Sequence, residues 1–230
     1  MTNMEFGTFE SKIGHHFTQP HLLEQAFTHR SYLNENRTGG EHNERLEFLG
    51  DAVLELVVTE FLYAKYPDKP EGDLTAYRAA LVNTQSISRA ATDLGMNEYL
   101  LLSRGEARDT GRARQIILAN AFEALIGSIY LDAGYVAARD FIAKQLFHKT
   151  DDVVAKRLWQ DAKSRLQETA QELHGITPTY VLVNQTGPDH DKQFVVAAHV
   201  GSERIATGEG RSKQEAEQDA AQKALVAKGW

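Results

Sequence analysis

Apolar residues recur at helical spacing along 44–58, where Leu46, Phe48, Leu49, Val53, Leu54, Leu56 and Val57 predict the core side of a helix. At about 1.5 Å per residue this helix runs for about four turns or more. Glu44, Glu47 and Asp51 fall at i, i+3 and i+7, so their carboxylates project from one face. A second stretch, 116–131, is apolar nearly all round, the pattern of a buried helix. Asn120 and Glu123 are its only strongly polar residues before Asp132, and they too share a face.

The rest of the first 150 residues reads as helix and loop. One or two short helices span 9–32, with Pro20 in a first turn. The polar stretch 34–41 forms a loop into the acidic helix, and 66–73, with Pro67 and Pro70, breaks the pattern again. One helix is expected from Leu74 to about Leu94, with Leu74, Tyr77, Leu81 and Ile87 at helical spacing. Gly- and Arg-rich 103–114 fits a mobile basic loop or an ordinary surface turn. A further helix covers 136–147, and nothing before residue 150 alternates like a strand. The composition changes near 148–152. Beyond it a helix over 162–174 is closed by Gly175, strand-like runs cover 179–183, 193–200 and 203–207, and Ser212 with Glu215 forms a capping box for a final alanine-rich helix. The order there is α-β-β-β-α.

Composition narrows the chemistry. There is no cysteine, which excludes disulfides, thiolate zinc sites and a cysteine nucleophile. The first 17 residues lack a signal-peptide core and no apolar run approaches the length of a bilayer span, so a cytoplasmic protein without a membrane partner is expected. The net charge of −7 is uneven: residues 1–154 hold 15 basic and 22 acidic residues, and 155–230 hold ten of each. Any phosphate contact must come from local basic clusters, because the total charge repels a polyanion.

An isolated buried carboxylate is unstable unless it is protonated, paired or metal-bound. Oxygen donors converging from two helices point to a hard cation, Mg²⁺ before Zn²⁺. A solvated face on a surface helix is the plain alternative for the row at Glu44, Glu47 and Asp51. A carboxylate-bridged di-iron bundle is excluded, because it requires Glu-x-x-His pairs and Gly50 and Ile126 stand three residues after Glu47 and Glu123.

The run His42-Asn43-Glu44-Arg45-Leu46-Glu47-Phe48-Leu49-Gly50-Asp51 resembles the signature of bacterial ribonuclease III. Ala26-Phe27-Thr28-His29-Arg30-Ser31-Tyr32 resembles the family's first helix, and Glu71-Gly72-Asp73-Leu74 with Arg78-Ala79-Ala80-Leu81-Val82 its next acidic segment. Glu123-Ala124-Leu125-Ile126-Gly127 resembles its last catalytic helix. These motifs come in family order over most of the chain. Gly187-Pro188-Asp189-His190 and Gly208-Glu209-Gly210-Arg211-Ser212-Lys213 resemble a double-stranded RNA-binding domain.

The resemblance implies a multidomain protein: an all-α endonuclease domain of ribonuclease III type at 1–150, a linker at 151–160, and a small α+β (α-β-β-β-α) double-stranded RNA-binding domain at 161–230. It implies cleavage of both strands of double-stranded RNA, leaving 5′-phosphates, 3′-hydroxyls and short 3′ overhangs, in processing of ribosomal RNA precursors and some messenger RNAs. Glu47, Asp51 and Glu123, completed by Asn120, correspond to the ligands of Mg²⁺, for which Mn²⁺ can substitute. Glu44 and Glu71 correspond to acidic positions around the catalytic valley. Ser164, Gln167, Glu168, Gln171 and His190 correspond to residues facing minor grooves, and Lys213 to one facing phosphate. The family often has a second basic residue after that lysine, where this chain has Gln214. The family dimerises through the signature helix, which makes Phe48 an interface residue; plain core packing is the other reading. Better-known members have Asp where this chain has Asn120, so a double-stranded RNA-binding protein with weakened catalysis is the alternative function.

Overall fold

The computed structural model describes residues 6–36, 40–155, 161–188 and 192–230, which form two compact units, Met1–Trp159 and Gln160–Trp230. The helices of the first unit are α1 (Gly7–Ile13), α2 (Pro20–Phe27), α3 (Arg30–Glu35), α4 (Glu44–Lys65), α5 (Glu71–Val82), α6 (Thr84–Asp93), α7 (Arg112–Leu146) and α8 (Thr150–Ala155). The second unit runs α9 (Ala162–His174), β1 (Thr179–Thr186), β2 (Gln193–Val200), β3 (Glu203–Gly210) and α10 (Lys213–Lys228).

The two apolar periods become the two longest helices, α4 and α7, and these cross with their backbones in contact. A Cβ at Gly50 would overlap the Glu123 carbonyl and lie 2.9 Å from the Gly127 nitrogen, and a Cβ at Gly127 would overlap the Leu46 carbonyl. Only glycine allows this approach, and around it Leu54, Phe122, Leu125 and Ile126 are fully buried. Helix α7 bends at Gly134, whose φ of 79° interrupts otherwise helical geometry. Just before the bend Asp132 fastens α7 to the start of α2: it accepts from Thr18 Oγ1 at 2.7 Å, Gln19 N at 2.9 Å and Thr18 N at 3.2 Å, and His15 Nε2 lies 3.0 Å away.

Several elements differ from the sequence expectation. The N-terminal segment holds three short helices, because Thr28 turns extended, pairs with Leu101, and leaves His29 to cap α3 through the Ser31 nitrogen. The single helix expected over 74–94 is two, since Asn83 adopts ψ 157° and its side chain caps α6 by accepting from Ser86 N at 2.9 Å. Of the two readings for 103–114 the surface turn holds over 103–111, closed by Arg114 in the first turn of α7, which donates to the carbonyls of Glu106, Ala107 and Asp109. Residues 151–155, assigned above to the linker, belong to α8, where Asp151 lies 2.6 Å from Lys65 Nζ. The helical run Arg112–Ala155 is apolar and long enough to cross a membrane by length and composition alone, contrary to the sequence reading, but most of its apolar window is buried inside the protein. Phe48 and Leu56, counted above with the core, are exposed.

In the second unit three antiparallel strands in the order β1-β2-β3 pair Val181 with Ala197 and Ala198 with Ala206. The core against the helices is small and alanine-rich: Leu166, Ala198, Ala220, Ala221, Ala224 and Leu225.

Gly50→Ala is expected to lower the stability of the first unit by about 3 kcal/mol in urea unfolding, because rigid backbone fills the space a methyl needs. Gly72→Ala, with open space around it, is the control and should leave stability unchanged or slightly raised.

Candidate functional site

The glycine crossing sets the site. Two helices that touch by their backbones bring the side chains one turn away on each within reach of one another. Glu47 and Asp51 on α4 therefore meet Asn120 and Glu123 on α7. Glu47 accepts a hydrogen bond from the Asn120 side chain, and the carboxylates of Asp51 and Glu47 both act on Glu123. Burial first, and then the charges of Asp51, Glu47 and Glu55, push the Glu123 carboxyl up to about 8. Burial, Glu44 and Asp51 likewise raise Glu47, and the Asn120 amide partly offsets them.

The other proposed site residues stand further out. Glu44 is exposed and lies 3.4 Å from Arg30 NH1. Glu71 starts α5 and accepts from Thr75 Oγ1 at 3.0 Å, within its own helix. Sequence reasoning missed Glu55 and its partner. Glu55 continues the row at i+4 from Asp51, a periodicity visible in the sequence, and Arg78 Nε binds it at 2.7 Å. Both ends of the row are thus paired with an arginine from another helix, and among the described residues the middle is not.

The donors are all oxygen and fit a hard cation, and the half-buried, repelled Glu123 carboxyl marks where positive charge would relieve the site. Among the described residues no three His, Cys, Asp or Glu side chains stand close enough to hold an ion as placed.

In the second unit, Ser164, Gln167, Glu168 and Gln171 are exposed at i, i+3, i+4 and i+7, on one face of α9. Ser164 Oγ donates to Asp161 Oδ2 at 2.6 Å, and Gln171 Oε1 accepts from Thr177 Oγ1 at 3.4 Å. Lys213 is exposed at the first position of α10, capped by Ser212 accepting from Glu215 N. His190 lies outside the described residues.

Comparison with known proteins agrees with this architecture. Residues 19–150 match the family model described as Ribonuclease-III-like, and residues 162–226 match the double-stranded RNA binding motif. The chain is 45% identical over 222 residues to Ribonuclease 3 of Bdellovibrio bacteriovorus, covering 96% of this chain and 95% of that one. It is 47% identical over 217 residues to Ribonuclease 3 of Desulforamulus reducens, covering 94% and 88%. The nuclease domain of ribonuclease III from Campylobacter jejuni, a structure that shows flexibility in a region involved in dimer formation, superposes with a TM-score of 0.55 at 40% identity, over 61% of this chain and 97% of that structure. A helical nuclease unit followed by a double-stranded RNA-binding unit defines an endoribonuclease acting on double-stranded RNA. The chain belongs to the ribonuclease III family.

Between about pH 4.5 and 8 the folded protein holds a proton on Glu123 that the unfolded chain has released. Glu123 therefore costs the fold progressively more as pH rises through that window. In EDTA, Glu123→Gln should raise the melting temperature relative to wild type more at about pH 9 than at about pH 5.

Proposed function

We propose that the protein hydrolyses phosphodiester bonds on both strands of double-stranded RNA with Mg²⁺, or Mn²⁺ in its place, held by Glu47, Asp51, Asn120 and Glu123. The observation that carries this reading is the convergence of those four side chains at the α4–α7 crossing of a ribonuclease III chain. When bound, the cation supplies charge relief at the phosphate, an activated water and a stabilised leaving oxygen.

The chain's own residues set the conditions. Glu123 keeps its proton up to about pH 8, so cation binding there releases a proton and tightens as pH rises toward that value. Asn120 turns its amide nitrogen to Glu47, which leaves its carbonyl oxygen to a cation but adds no negative charge. Glu44 and Glu71 line the approach. On the RNA-binding unit, Ser164 gives its hydroxyl proton to Asp161, so outward it offers only lone pairs, suited to a ribose 2′-hydroxyl. Gln167, Glu168, Gln171 and His190 continue that minor-groove face, and Lys213 takes phosphate.

We read the protein as a homodimer. Phe48 is 81% exposed, and Leu56 and Tyr63 on the same side of α4 are exposed as well, an apolar row that needs a partner. Two sites related by a two-fold axis would cut the strands at a stagger, leaving 5′-phosphates, 3′-hydroxyls and short 3′ overhangs. Ribosomal RNA precursors and some messenger RNAs are the proposed substrates, and the cytoplasm the proposed compartment.

Cleavage of duplex RNA should stop in EDTA, and Glu123→Gln should abolish it while sparing binding. Asn120→Asp should lower the Mg²⁺ concentration for half-maximal cleavage, and it should lower the melting temperature in EDTA, since it removes a donor to Glu47 and adds a charge. Wild type inert at every Mg²⁺ and Mn²⁺ concentration, with cutting restored by Asn120→Asp, would make the protein a binder instead. Phe48→Glu should shift the sedimentation coefficient from dimer to monomer.

A further inference from the structure

The apolar contact between the two helices read as facing RNA centres on Leu166, Ala221, Ala224 and Leu225, with Ala162 of the first turn of α9 at its edge. At the N-terminal ends a cleft of about 430 Å³ opens between α9, the start of β1 and α10, with Ser164, Gln167, Gln214 and Gln218 in its walls. Polar bonds bridge it. The Gln218 amide of α10 reads the start of α9 with both ends: Nε2 donates to Asp161 Oδ1 at 2.9 Å, and Oε1 accepts from Lys163 N at 3.3 Å. Next to it Lys163 Nζ lies 2.6 Å from Glu217 Oε2 and 5.0 Å from the centre of the Tyr180 ring.

Asp161 is the shared node. Its Oδ1 also accepts from Ser164 N at 3.0 Å, and its Oδ2 from Ser164 Oγ at 2.6 Å. One carboxylate therefore orients the hydroxyl of α9 that faces RNA and holds the helix that begins with Lys213. Gln218 stands five residues after Lys213, about 7.5 Å along the helix. A tether at that distance fixes where the lysine at the helix start points.

We propose that Gln218 is a positioning residue for double-stranded RNA binding: through Asp161 and the Lys163 nitrogen it sets the separation of the α9 and α10 N-termini, so that Ser164 and Lys213 engage one duplex together. The need is greater in this chain because Gln214 stands after Lys213, leaving one lysine at that helix start to meet phosphate. Gln218 itself touches no RNA. This inference rests on the reading of Lys213 as a phosphate contact.

The test is the salt dependence of duplex binding by the full chain in EDTA, where no cleavage interferes. Lys213→Ala should reduce the slope of log K against log salt by about 0.9, the share of one phosphate contact. Gln218→Ala should reduce it by the same amount, and the double variant by no more than either single one. A general loss of stability would instead leave the slope of the folded fraction at its wild-type value, so melting curves are recorded alongside. Gln218→Glu sets two carboxylates against each other and should behave like Gln218→Ala. Gln218→Met, close in length but without either bond, should do the same, which keeps the test open if Gln218→Ala fails to fold. A wild-type slope in Gln218→Ala or Gln218→Met, or additive losses in the double variant, overturns the proposal. A wild-type slope in Lys213→Ala overturns the phosphate reading and the inference with it.

Discussion

Everything in the first unit depends on the backbone contact between α4 and α7 at Gly50 and Gly127. Neither helix is unusual alone. Their crossing at glycine removes the side-chain layer that ordinarily keeps helix axes about 8–10 Å apart. What that layer would have separated is thereby brought together: Glu47 and Asp51 from one helix, Asn120 and Glu123 from the other. The same contact places Glu123 where burial opposes its charge. The carboxylates thus carry a folding cost, and close apolar packing around Leu54, Phe122 and Leu125 offsets it.

Charge is distributed along α4 in a way that the net charge of the chain conceals. The acidic row at Glu44, Glu47, Asp51 and Glu55 has an arginine at each end, Arg30 on Glu44 and Arg78 on Glu55. Among the described residues, the middle of the row has no basic partner. Long-range repulsion of a polyanion is weakened at the flanks, and local attraction for a cation is concentrated at the centre. Within the Gly- and Arg-rich segment, Arg114 is consumed internally by three carbonyls.

Much of this was legible in the sequence where one period dominates. The apolar pattern of 44–58 and 116–131 marked α4 and α7, the spacing of Glu44, Glu47 and Asp51 gave a common face, and Ser212 with Glu215 marked the start of α10. Breaks made by a single polar side chain were not legible: Asn83 splits one helical period into two, and Thr28 leaves helical geometry to pair with Leu101. Helical spacing also fails to tell core from an uncovered apolar side, hence the misplacement of Leu56, and of Phe48 on the core reading. Contacts between distant segments leave no local signal at all, which is why Glu55 with Arg78, and Asp161 with Gln218, emerged only from the structure.

Helix α7 is fastened on both sides of its polar pair. Arg114 ties its first turn to the carbonyls of Glu106 and Asp109, and Asp132 ties its far side to Thr18 and Gln19 before the bend at Gly134. Mechanically it is a beam held at two supports, with Asn120 and Glu123 on the span between them. A beam so held resists sliding and rotation when a highly charged duplex arrives, which limits backbone rearrangement at the site. The reorganisation that each turnover would otherwise repeat is completed once, when the chain folds.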